Sequence, residues 1–375
     1  MAPTRRGMLF MSSDSFAMAL NAICPYYTMF PIEFPLRVLK GRARRGQWVA
    51  DPFCGRGTTN FAARLLGLPS VGMDSSAVAV ALTKAKLAQA RVSDVVRVAK
   101  AVLEGIPNRV SMPEGDFWSL AYDRSVLRKL CWLRSELICD CTSDARILLR
   151  AIVLGALHGP RTKTVLSHFS NQCPRTYAPK PDYAVRFWRK RRMTPPALDV
   201  LELIRTRARR YLQEQPPQTT AKVELGDSRT SDVWGGRKIR WIVTSPPYYG
   251  MRTYVADQWL RNWFVGGPSH VEYARPADEL SHASSDQFAG ELRKVWQGLV
   301  SHCHAEAKLI IRFGGIRDRD VDTVELLKAS IRDSGWRLAT VVSAGTSDSG
   351  KRQSRQFLKE DTNPMAEHDY HAILA

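Results

Sequence analysis

Short apolar runs alternate along the chain with longer stretches whose apolar residues lie three and four positions apart. Runs that are rich in β-branched residues and bounded by Gly, Pro or Asp predict strands, and the longer periodic stretches predict helices. With helices between the first five strands and a strand pair at the C-terminal end, this order predicts an α/β fold built in three layers. The predicted strands begin at Gln47, Ser70, Lys222, Ile239, Ala307, Trp336 and His368.

The region between the second and third predicted strands is too long for an ordinary connection, which usually takes a few residues. The predicted helices cover residues 36–40, 60–67, 77–91, 125–138, 144–157, 198–212 and 287–302, and four of them fall in this region. We therefore expect an inserted helical subdomain. The predicted division is residues 1–84 for an N-terminal element and the first half of the α/β domain, 85–220 for a helical, basic insert, and 221–375 for the second half of the α/β domain.

Basic and aromatic residues are interleaved at residues 167–192 of the insert, and the prolines predict a non-helical passage as far as Tyr183. Such interleaving is typical of phosphate contacts combined with base stacking, although a charge run is also typical of a solvated face. The polar stretch 345–363 is predicted to be a surface loop, and an aromatic passage begins at Arg252. The candidate nucleic-acid contacts are Arg175, Tyr177, Lys180, Arg186, Arg189, Arg191, Arg192, Arg252, Lys351 and Arg352.

Charge is the strongest feature of the composition, since the chain carries a net charge of +19. An excess of this size attracts polyanions, and nucleic acid is the abundant one inside cells, although charge does not separate DNA from RNA. No apolar run has the length of a membrane span or a secretory signal, which predicts a cytoplasmic protein without a membrane partner. The seven cysteines lack metal-ligand spacing, so we predict buried, reduced thiols and no metal site.

Two turns at the ends of predicted strands carry the candidate chemistry. The first strand leads into the glycine turn at residues 51–59, and an acidic residue, Asp74, ends the second. Glycines let the backbone approach a ligand, and a carboxylate at the end of the second strand is placed to accept hydrogen bonds from ribose hydroxyls. The alternative interpretation is a glycine turn that only permits close packing. The fourth strand stops at residues 244–250, because proline cannot donate to a ladder, and a strand end of this kind faces the ligand crevice.

These turns resemble two motifs of S-adenosylmethionine-dependent amino-group methyltransferases, particularly the bacterial enzymes that methylate N4 of cytosine or N6 of adenine in DNA. Asp51-Pro52-Phe53-Cys54-Gly55-Arg56-Gly57-Thr58-Thr59 resembles the cofactor-binding motif, and Thr244-Ser245-Pro246-Pro247-Tyr248 resembles the catalytic motif. Gly226-Asp227 is similar to the turn that contacts the adenine of the cofactor, and the segment from Phe30-Pro31 to Leu39 resembles the element over its methionine end.

The resemblance implies a Rossmann-like seven-stranded methyltransferase sheet with helices on both faces, in a bacterial cytoplasmic enzyme. Double-stranded DNA is the implied partner, and a cognate restriction endonuclease is a second one that the family admits. S-adenosylmethionine is the implied cofactor. The residues implied to bind it are Phe30, Pro31, Asp51, Phe53, Cys54, Gly55, Gly57, Thr58, Thr59, Asp74, Ser75, Asp227 and Thr244.

The catalytic prediction follows from the chemistry of an exocyclic amine, whose lone pair is delocalised into the base. Ser245 Oγ and the Pro246 carbonyl are expected to accept the two N–H bonds, so that the lone pair faces the methyl group and transfer is a direct displacement. Tyr248 is expected to stack on a base rotated out of the duplex, and Pro247 holds the turn rigid. Cys173 precedes its proline, so the Pro-Cys arrangement of covalent C5-cytosine enzymes is absent.

Serine at the first catalytic position favours N4-cytosine, with N6-adenine as the alternative. The runner-up is an RNA (tRNA or rRNA) amino-methyltransferase, and a catalytically inactive nucleic-acid-binding protein is the least favoured reading. Many N4-cytosine enzymes place the catalytic motif before the cofactor motif, whereas this chain has the opposite order. Two segments therefore compete for target recognition, and the helical insert is favoured over the passage from Arg252 to Phe264 because its basic cluster is larger.

Overall fold

The computed structural model describes residues 18–26, 30–159, 167–173, 180–230, 232–250, 254–273, 279–315, 321–346 and 366–375. The described residues form two compact units. The helical unit comes from Met1–Pro25, Ala88–Pro216 and Val255–Tyr273, and the sheet unit comes from Tyr26–Leu87, Pro217–Tyr254 and Ala274–Ala375. The helical unit thus takes in residues 255–273, which the sequence division assigns to the second half of the α/β domain.

Seven strands in the described part of the chain form a single sheet with the order β3-β2-β1-β4-β5-β7-β6. The first five strands run parallel to one another, whereas β7 runs antiparallel to both β5 and β6. This confirms the predicted Rossmann-like α/β fold and every predicted strand. The strands are β1 (Trp48–Asp51), β2 (Ser70–Asp74), β3 (Ala221–Leu225), β4 (Ile239–Thr244), β5 (Cys303–Gly314), β6 (Trp336–Thr346) and β7 (Ala366–Leu374).

Helices connect the strands and fill the helical unit. Among the described residues they are α1 (Glu33–Leu39), α2 (Thr58–Leu65), α3 (Ala77–Leu87), α4 (Val92–Glu104), α5 (Asp116–Ala121), α6 (Arg124–Cys139), α7 (Asp144–Ala156), α8 (Pro181–Lys190), α9 (Val200–Tyr211), α10 (Tyr254–Phe264), α11 (Ser285–Val300) and α12 (Thr323–Ile331). None of the helices within the described ranges is long and apolar enough to span a membrane. The sequence did not predict α4, α5, α8, α10 or α12.

Alternate residues of the central strands pack on opposite faces of the sheet, as the two-residue period of a strand requires. Val49 and Ile310 belong to the core that α1 and α2 cover. Ala50 and Leu309, their neighbours along β1 and β5, belong to the core that α11 and α12 cover. The predicted helices on both faces are therefore confirmed. Five of the seven cysteines are buried, as predicted.

Aromatic packing explains why residues 255–273 join the helical unit. The Trp263 ring of α10 lies 4.6 Å from the Trp118 ring of α5, measured between centroids. The Trp118 indole N–H donates to the Ser269 carbonyl at 3.2 Å, and Arg134 Nε of α6 donates to the Trp263 carbonyl at 2.6 Å. Buried rings that also satisfy their polar atoms hold this segment on the helices of the insert.

Candidate active site

The glycine turn after β1 has the backbone conformation that its sequence predicts. Gly55 and Gly57 have φ angles of 52° and 77°, in the left-handed region that glycine adopts readily. A Cβ atom at Gly57 would approach Thr83 to within 2.7 Å, so only glycine fits there. A Cβ atom at Gly55 would meet a single atom within 4 Å, the Phe53 carbonyl oxygen. The backbone at Gly55 is therefore open to a ligand.

Asp74, at the end of β2, holds this turn in place. Its Oδ2 accepts the Gly55 N–H at 2.7 Å, and its Oδ1 accepts the Ser76 N–H at 2.9 Å. Thr83 Oγ1 donates to the Gly55 carbonyl at 3.0 Å from α3. A carboxylate at the end of the second strand is also where the sequence predicts an acceptor for ribose hydroxyls.

Asp51 links the two candidate motifs. The hydroxyl of Thr244, at the end of β4, donates to Asp51 Oδ1 at 2.6 Å, and the Phe53 N–H donates to the same oxygen at 3.1 Å. Asp51 Oδ2 is buried and meets no hydrogen-bond partner in the described part of the protein. Burial raises the pKa of Asp51 to about 7, against the opposing effect of the Thr244 hydroxyl. The site thus contains a buried carboxyl group with an unused acceptor.

The remaining predicted cofactor residues of this region have structural contacts of their own. Thr59 Oγ1 donates to the Val243 carbonyl at 2.9 Å, which joins α2 to β4. The Phe53 ring packs edge-on against Trp296, and the Phe30 ring packs edge-on against Phe34 of α1. Burial raises the pKa of the Cys54 thiol well above its ordinary value, so the thiol stays neutral. Thr58 begins α2, Pro31 lies just before α1 and Ser75 follows β2.

Asp227, after β3, has a partner that the sequence reasoning missed. Arg229 Nε lies 2.9 Å from Asp227 Oδ1 and Arg229 Nη2 lies 2.6 Å from Oδ2. Arg229 also lies 3.2 Å from the carboxylate of Glu291. Burial works to raise the pKa of Asp227, but the hydrogen bonds from Arg229 outweigh it and the pKa is lowered. The two-residue spacing of Asp227 and Arg229 is the signal that could have predicted this ion pair.

The catalytic turn follows Thr244, with Ser245 and Pro247 partly exposed and Pro246 buried. Gly250 adopts a φ of 85° and its N–H donates to His282 Nδ1 at 2.8 Å. The preceding ring, Tyr249, is buried against Phe288. These contacts anchor the far end of the turn to the sheet unit. Since β1 and β4 are parallel neighbours, their carboxyl ends bring this turn beside the glycine turn.

Tyr248 makes the contact that the sequence did not predict. Its hydroxyl donates to Glu367 Oε1 of β7 at 2.6 Å. The Tyr248 ring packs edge-on against Phe313 at 5.3 Å between centroids. Burial, followed by the charge of Glu367, raises the pKa of Tyr248 well above its ordinary value. Tyr248 is therefore a neutral phenol fixed to a buried carboxyl group.

The candidate nucleic-acid contacts of the insert lie on and beside α8. The helix begins at Pro181, which corrects the prediction of a non-helical passage as far as Tyr183. Proline is well suited to the first turn of a helix, where its missing N–H has no intrahelical partner. Lys180 lies just before the helix, and Arg186, Arg189, Arg191 and Arg192 are exposed. Arg175, Tyr177, Arg252, Lys351 and Arg352 lie outside the described residues, as does most of the predicted loop 345–363.

Two of these residues already have contacts within the helical unit. Arg189 Nη2 lies 2.7 Å from Asp116 Oδ2. The Arg191 guanidinium lies 3.9 Å from the centre of the Phe187 ring, and the Tyr183 ring, 43% exposed, stacks on Phe187 with centroids 6.3 Å apart. The exposed face of α8 thus combines cations with an accessible aromatic ring.

Residues 15–85 match the family described as DNA methylase, which covers N6 and N4 methyltransferases. The matched region contains β1, the glycine turn and β2. The match confirms the resemblance to amino-group DNA methyltransferases and supports a methyltransferase that uses S-adenosylmethionine. The atom to be methylated is not determined by it.

Solved methyltransferase structures align with nearly the whole chain at low similarity. The rRNA methyltransferase aviRa from Streptomyces viridochromogenes is 14% identical with a TM-score of 0.36, covering 99% of this chain and 96% of that chain. A TehB-like S-adenosylmethionine-dependent methyltransferase from Corynebacterium glutamicum is 9% identical with a TM-score of 0.34, covering 97% and 98%. Magnesium protoporphyrin IX methyltransferase from Synechocystis is 9% identical with a TM-score of 0.33, covering 97% and 95%. No curated protein sequence matches the chain.

Proposed function

We propose that this chain, which carries the cofactor-binding region of the amino-group DNA methyltransferases, methylates N4 of cytosine in double-stranded DNA with S-adenosylmethionine as donor. The observation that carries the proposal is the 2.6 Å hydrogen bond between Thr244 and Asp51. It joins the turn that ends in Ser245-Pro246-Pro247-Tyr248 to the glycine turn of the cofactor motif. A methyl donor and an acceptor amine must meet at one place, and this bond ties together the two turns that would hold them.

The residues of the glycine turn fit S-adenosylmethionine. The cofactor carries cationic groups and ribose hydroxyls, and the turn offers a buried carboxylate oxygen of Asp51 without a partner and an open backbone at Gly55. Asp51, Gly55 and Asp74 would hold it. When bound, it supplies an electrophilic methyl group, whose transfer forms an N–C bond, breaks an S–C bond and leaves a neutral thioether.

Ser245 and Pro246 supply what a poorly nucleophilic amine needs. A serine hydroxyl and a backbone carbonyl are neutral acceptors, so together they can take both N–H bonds of an exocyclic amine and orient its lone pair. Tyr248, half-buried and fixed through its hydroxyl, offers a ring on which a rotated base can stack. In the family that these turns resemble, serine rather than aspartate at the first catalytic position is the usual mark of N4-cytosine specificity, and this resemblance supports cytosine as the base.

The family match supports DNA as the substrate, and the charge supports a nucleic-acid partner. The net charge of +19 favours a polyanionic partner, and α8 exposes several arginines beside the accessible ring of Tyr183. Contacts of this kind attach a protein to the nucleic-acid backbone without fixing the sequence that is read. A partner endonuclease is a further expectation of the family resemblance.

The test is methyl transfer from tritium-labelled S-adenosylmethionine to duplex DNA and to total RNA, followed by chromatography of the nucleosides. We expect label in DNA as N4-methylcytosine, and loss of transfer in Ser245→Ala. The exposed Ser301→Ala provides the matched control with unchanged transfer. Label in N6-methyladenine would show that the base is adenine and not cytosine, and label in RNA alone would show that the substrate is not DNA.

A further inference from the structure

Glu367 is a buried carboxyl group at the candidate catalytic turn. It lies near the start of β7, where its backbone is the register partner of Gly314 in β5, and only 3% of the residue is exposed. Its Oε1 accepts the Tyr248 hydroxyl at 2.6 Å. This length is in the range of about 2.5–2.7 Å that hydrogen bonds between a hydroxyl and an ionised oxygen adopt.

Gly314 provides the space for this contact. A Cβ atom at that position would lie 2.9 Å from Glu367 Cγ, 2.9 Å from the Ala366 carbonyl and 3.4 Å from Tyr248 Cε2. Any other residue would push the carboxyl group and the ring apart. The glycine in β5 therefore leaves room for Glu367 of β7 to contact Tyr248 of the catalytic turn, although the three segments are distant in sequence.

The hydrogen bonds run in one direction. A carboxylate only accepts, so the Tyr248 hydroxyl donates to Glu367 and its oxygen keeps lone pairs that can accept from Ser245, three residues earlier on the same turn, which opposes the rise in the Tyr248 pKa. A Ser245 hydroxyl that donates to Tyr248 Oη directs its proton away from the substrate. The lone pairs of Ser245 Oγ remain to accept an N–H of the amine.

We propose that Glu367 directs this chain of hydroxyls and accepts, through Tyr248 and Ser245, the proton that the amine loses on methylation. The inference rests on the proposed function. The methylated nitrogen carries a positive charge and one N–H too many, so that proton passes to Ser245 Oγ as the serine proton passes to Tyr248 Oη. The tyrosine proton passes to Glu367 Oε1. The product is a neutral methylated amine beside a protonated Glu367, which returns its proton to solvent before the next cycle.

A buried ion pair lies close to Glu367 in the sheet. Asp369, on the same face of β7, forms a buried ion pair with Arg312 of β5, at 2.8 Å from Nε to Oδ1 and 2.9 Å from Nη2 to Oδ2. Arg37 of α1 lies 2.7 Å from Asp369 Oδ2. Arg312 also acts on Tyr248, where it opposes the rise in pKa. Two guanidinium groups thus compensate the carboxylate of Asp369, and one of them also acts on the Tyr248 hydroxyl.

The first test is independent of activity and uses the protein without added cofactor, labelled with carbon-13 at tyrosine Cζ. The Tyr248 signal is assigned by its loss in Tyr248→Phe. We expect this signal to shift in Glu367→Gln, because the hydroxyl loses its charged acceptor, and to stay in place in Glu306→Gln. Glu306 is an exposed strand residue of β5 and so provides the matched acid-to-amide control. An unmoved signal in Glu367→Gln overturns the hydroxyl chain.

The second test separates positioning from folding by single-turnover methyl transfer. Glu367→Gln keeps the shape of the side chain but cannot take a proton, so we expect the rate to fall about a hundredfold, the lower end of a general-base contribution. The dissociation constant for S-adenosylmethionine and the KM for DNA should stay within about twofold. Tyr248→Phe should lose rate similarly, and the double variant should be no slower than Tyr248→Phe alone.

Three results overturn the inference. A Glu367→Gln protein with the wild-type rate shows that the proton leaves by another route. Parallel losses of rate, cofactor affinity and melting temperature show a structural role for Glu367. A wild-type protein that methylates no nucleic acid overturns the proposed function and the proton step together, whereas an active wild type with an equally active Glu367→Gln overturns the proton step alone.

Discussion

Asp51 combines burial, an unused acceptor and a pKa of about 7, which makes cofactor affinity depend on pH. The cationic end of S-adenosylmethionine is attracted to the ionised carboxylate, so affinity should be highest above pH 7 and weaken as the pH falls through that value. Asp51→Asn should bind the cofactor roughly tenfold to a hundredfold more weakly at pH 8, as expected for a charged hydrogen bond of about 1.5–3 kcal/mol. It should also lose the pH dependence. Calorimetric titration at pH 6 and pH 8 measures both effects.

Asp232→Asn is the matched control for this prediction, since the Asp232 side chain is 90% exposed. It should keep both the affinity and the pH dependence of the wild type.

The raised pKa of Asp51 affects the stability of the fold with the opposite sign from its effect on cofactor binding. The raised pKa of Asp51 means that the folded protein holds a proton which the unfolded chain has lost, so the free energy of unfolding decreases as the pH rises from about 4 to about 7. Equal cofactor affinity of wild type and Asp51→Asn at pH 8 would contradict the assignment of Asp51 to the cofactor site.

At the scale of elements, α8 is a segment in which two local signals favour different structures: its prolines favour a loop, and the spacing of its apolar residues favours a helix. Ala184, Phe187 and Trp188 are buried and lie three and four positions apart, which is helical spacing. The prolines before them favoured a loop, yet Pro181 occupies the first turn of the helix, where its missing N–H has no cost. The helical signal was present in the sequence, and the choice between the two interpretations needed the packing of Trp188.

Arg186 tests whether the exposed face of α8 binds DNA. It is exposed on the helix, and a phosphate contact there would release a counterion. Arg186→Glu should weaken binding to duplex DNA of any sequence and reduce the slope of log affinity against log salt by about 0.9. Fluorescence anisotropy between low and moderate salt measures the slope. Arg332→Glu makes the same charge change at an exposed position of the sheet unit, and equal losses in the two variants would show that only net charge matters.

At the scale of the whole molecule, strand order explains why the catalytic turn was predicted and its carboxyl group was not. The motifs at β1 and β4 are short and local, so residue type and spacing predicted both. Tyr248 and Glu367 are 119 residues apart, and their contact exists because β7 inserts between β5 and β6. No periodicity along the chain indicates that insertion. The apolar pattern predicted the strands and the resemblance to a family implied their Rossmann-like sheet, whereas the contacts around Glu367 required the structure.

The stability of the helical unit should fall in acid because two buried histidines are held neutral. His158 donates to or accepts from Ser170 Oγ at 2.6 Å, and burial lowers the pKa of His158 and of His168 to about 3. The unfolded chain binds protons on both below about pH 6.5, so the free energy of unfolding should fall as the pH drops from 6.5, by up to about 1.4 kcal/mol per pH unit for each histidine. Above pH 6.5 neither contributes a slope.

His158→Asn isolates one of these groups, because asparagine keeps a polar partner for Ser170 but does not titrate. We expect it to be less stable than the wild type at pH 7 by about 1–3 kcal/mol, from lost packing and a less favourable hydrogen bond. Its loss of stability between pH 7 and pH 5, measured by urea unfolding, should be smaller than that of the wild type. The exposed His304→Asn should keep the wild-type pH dependence. An unchanged slope in His158→Asn would mean that His158 stays accessible to protons in the folded protein.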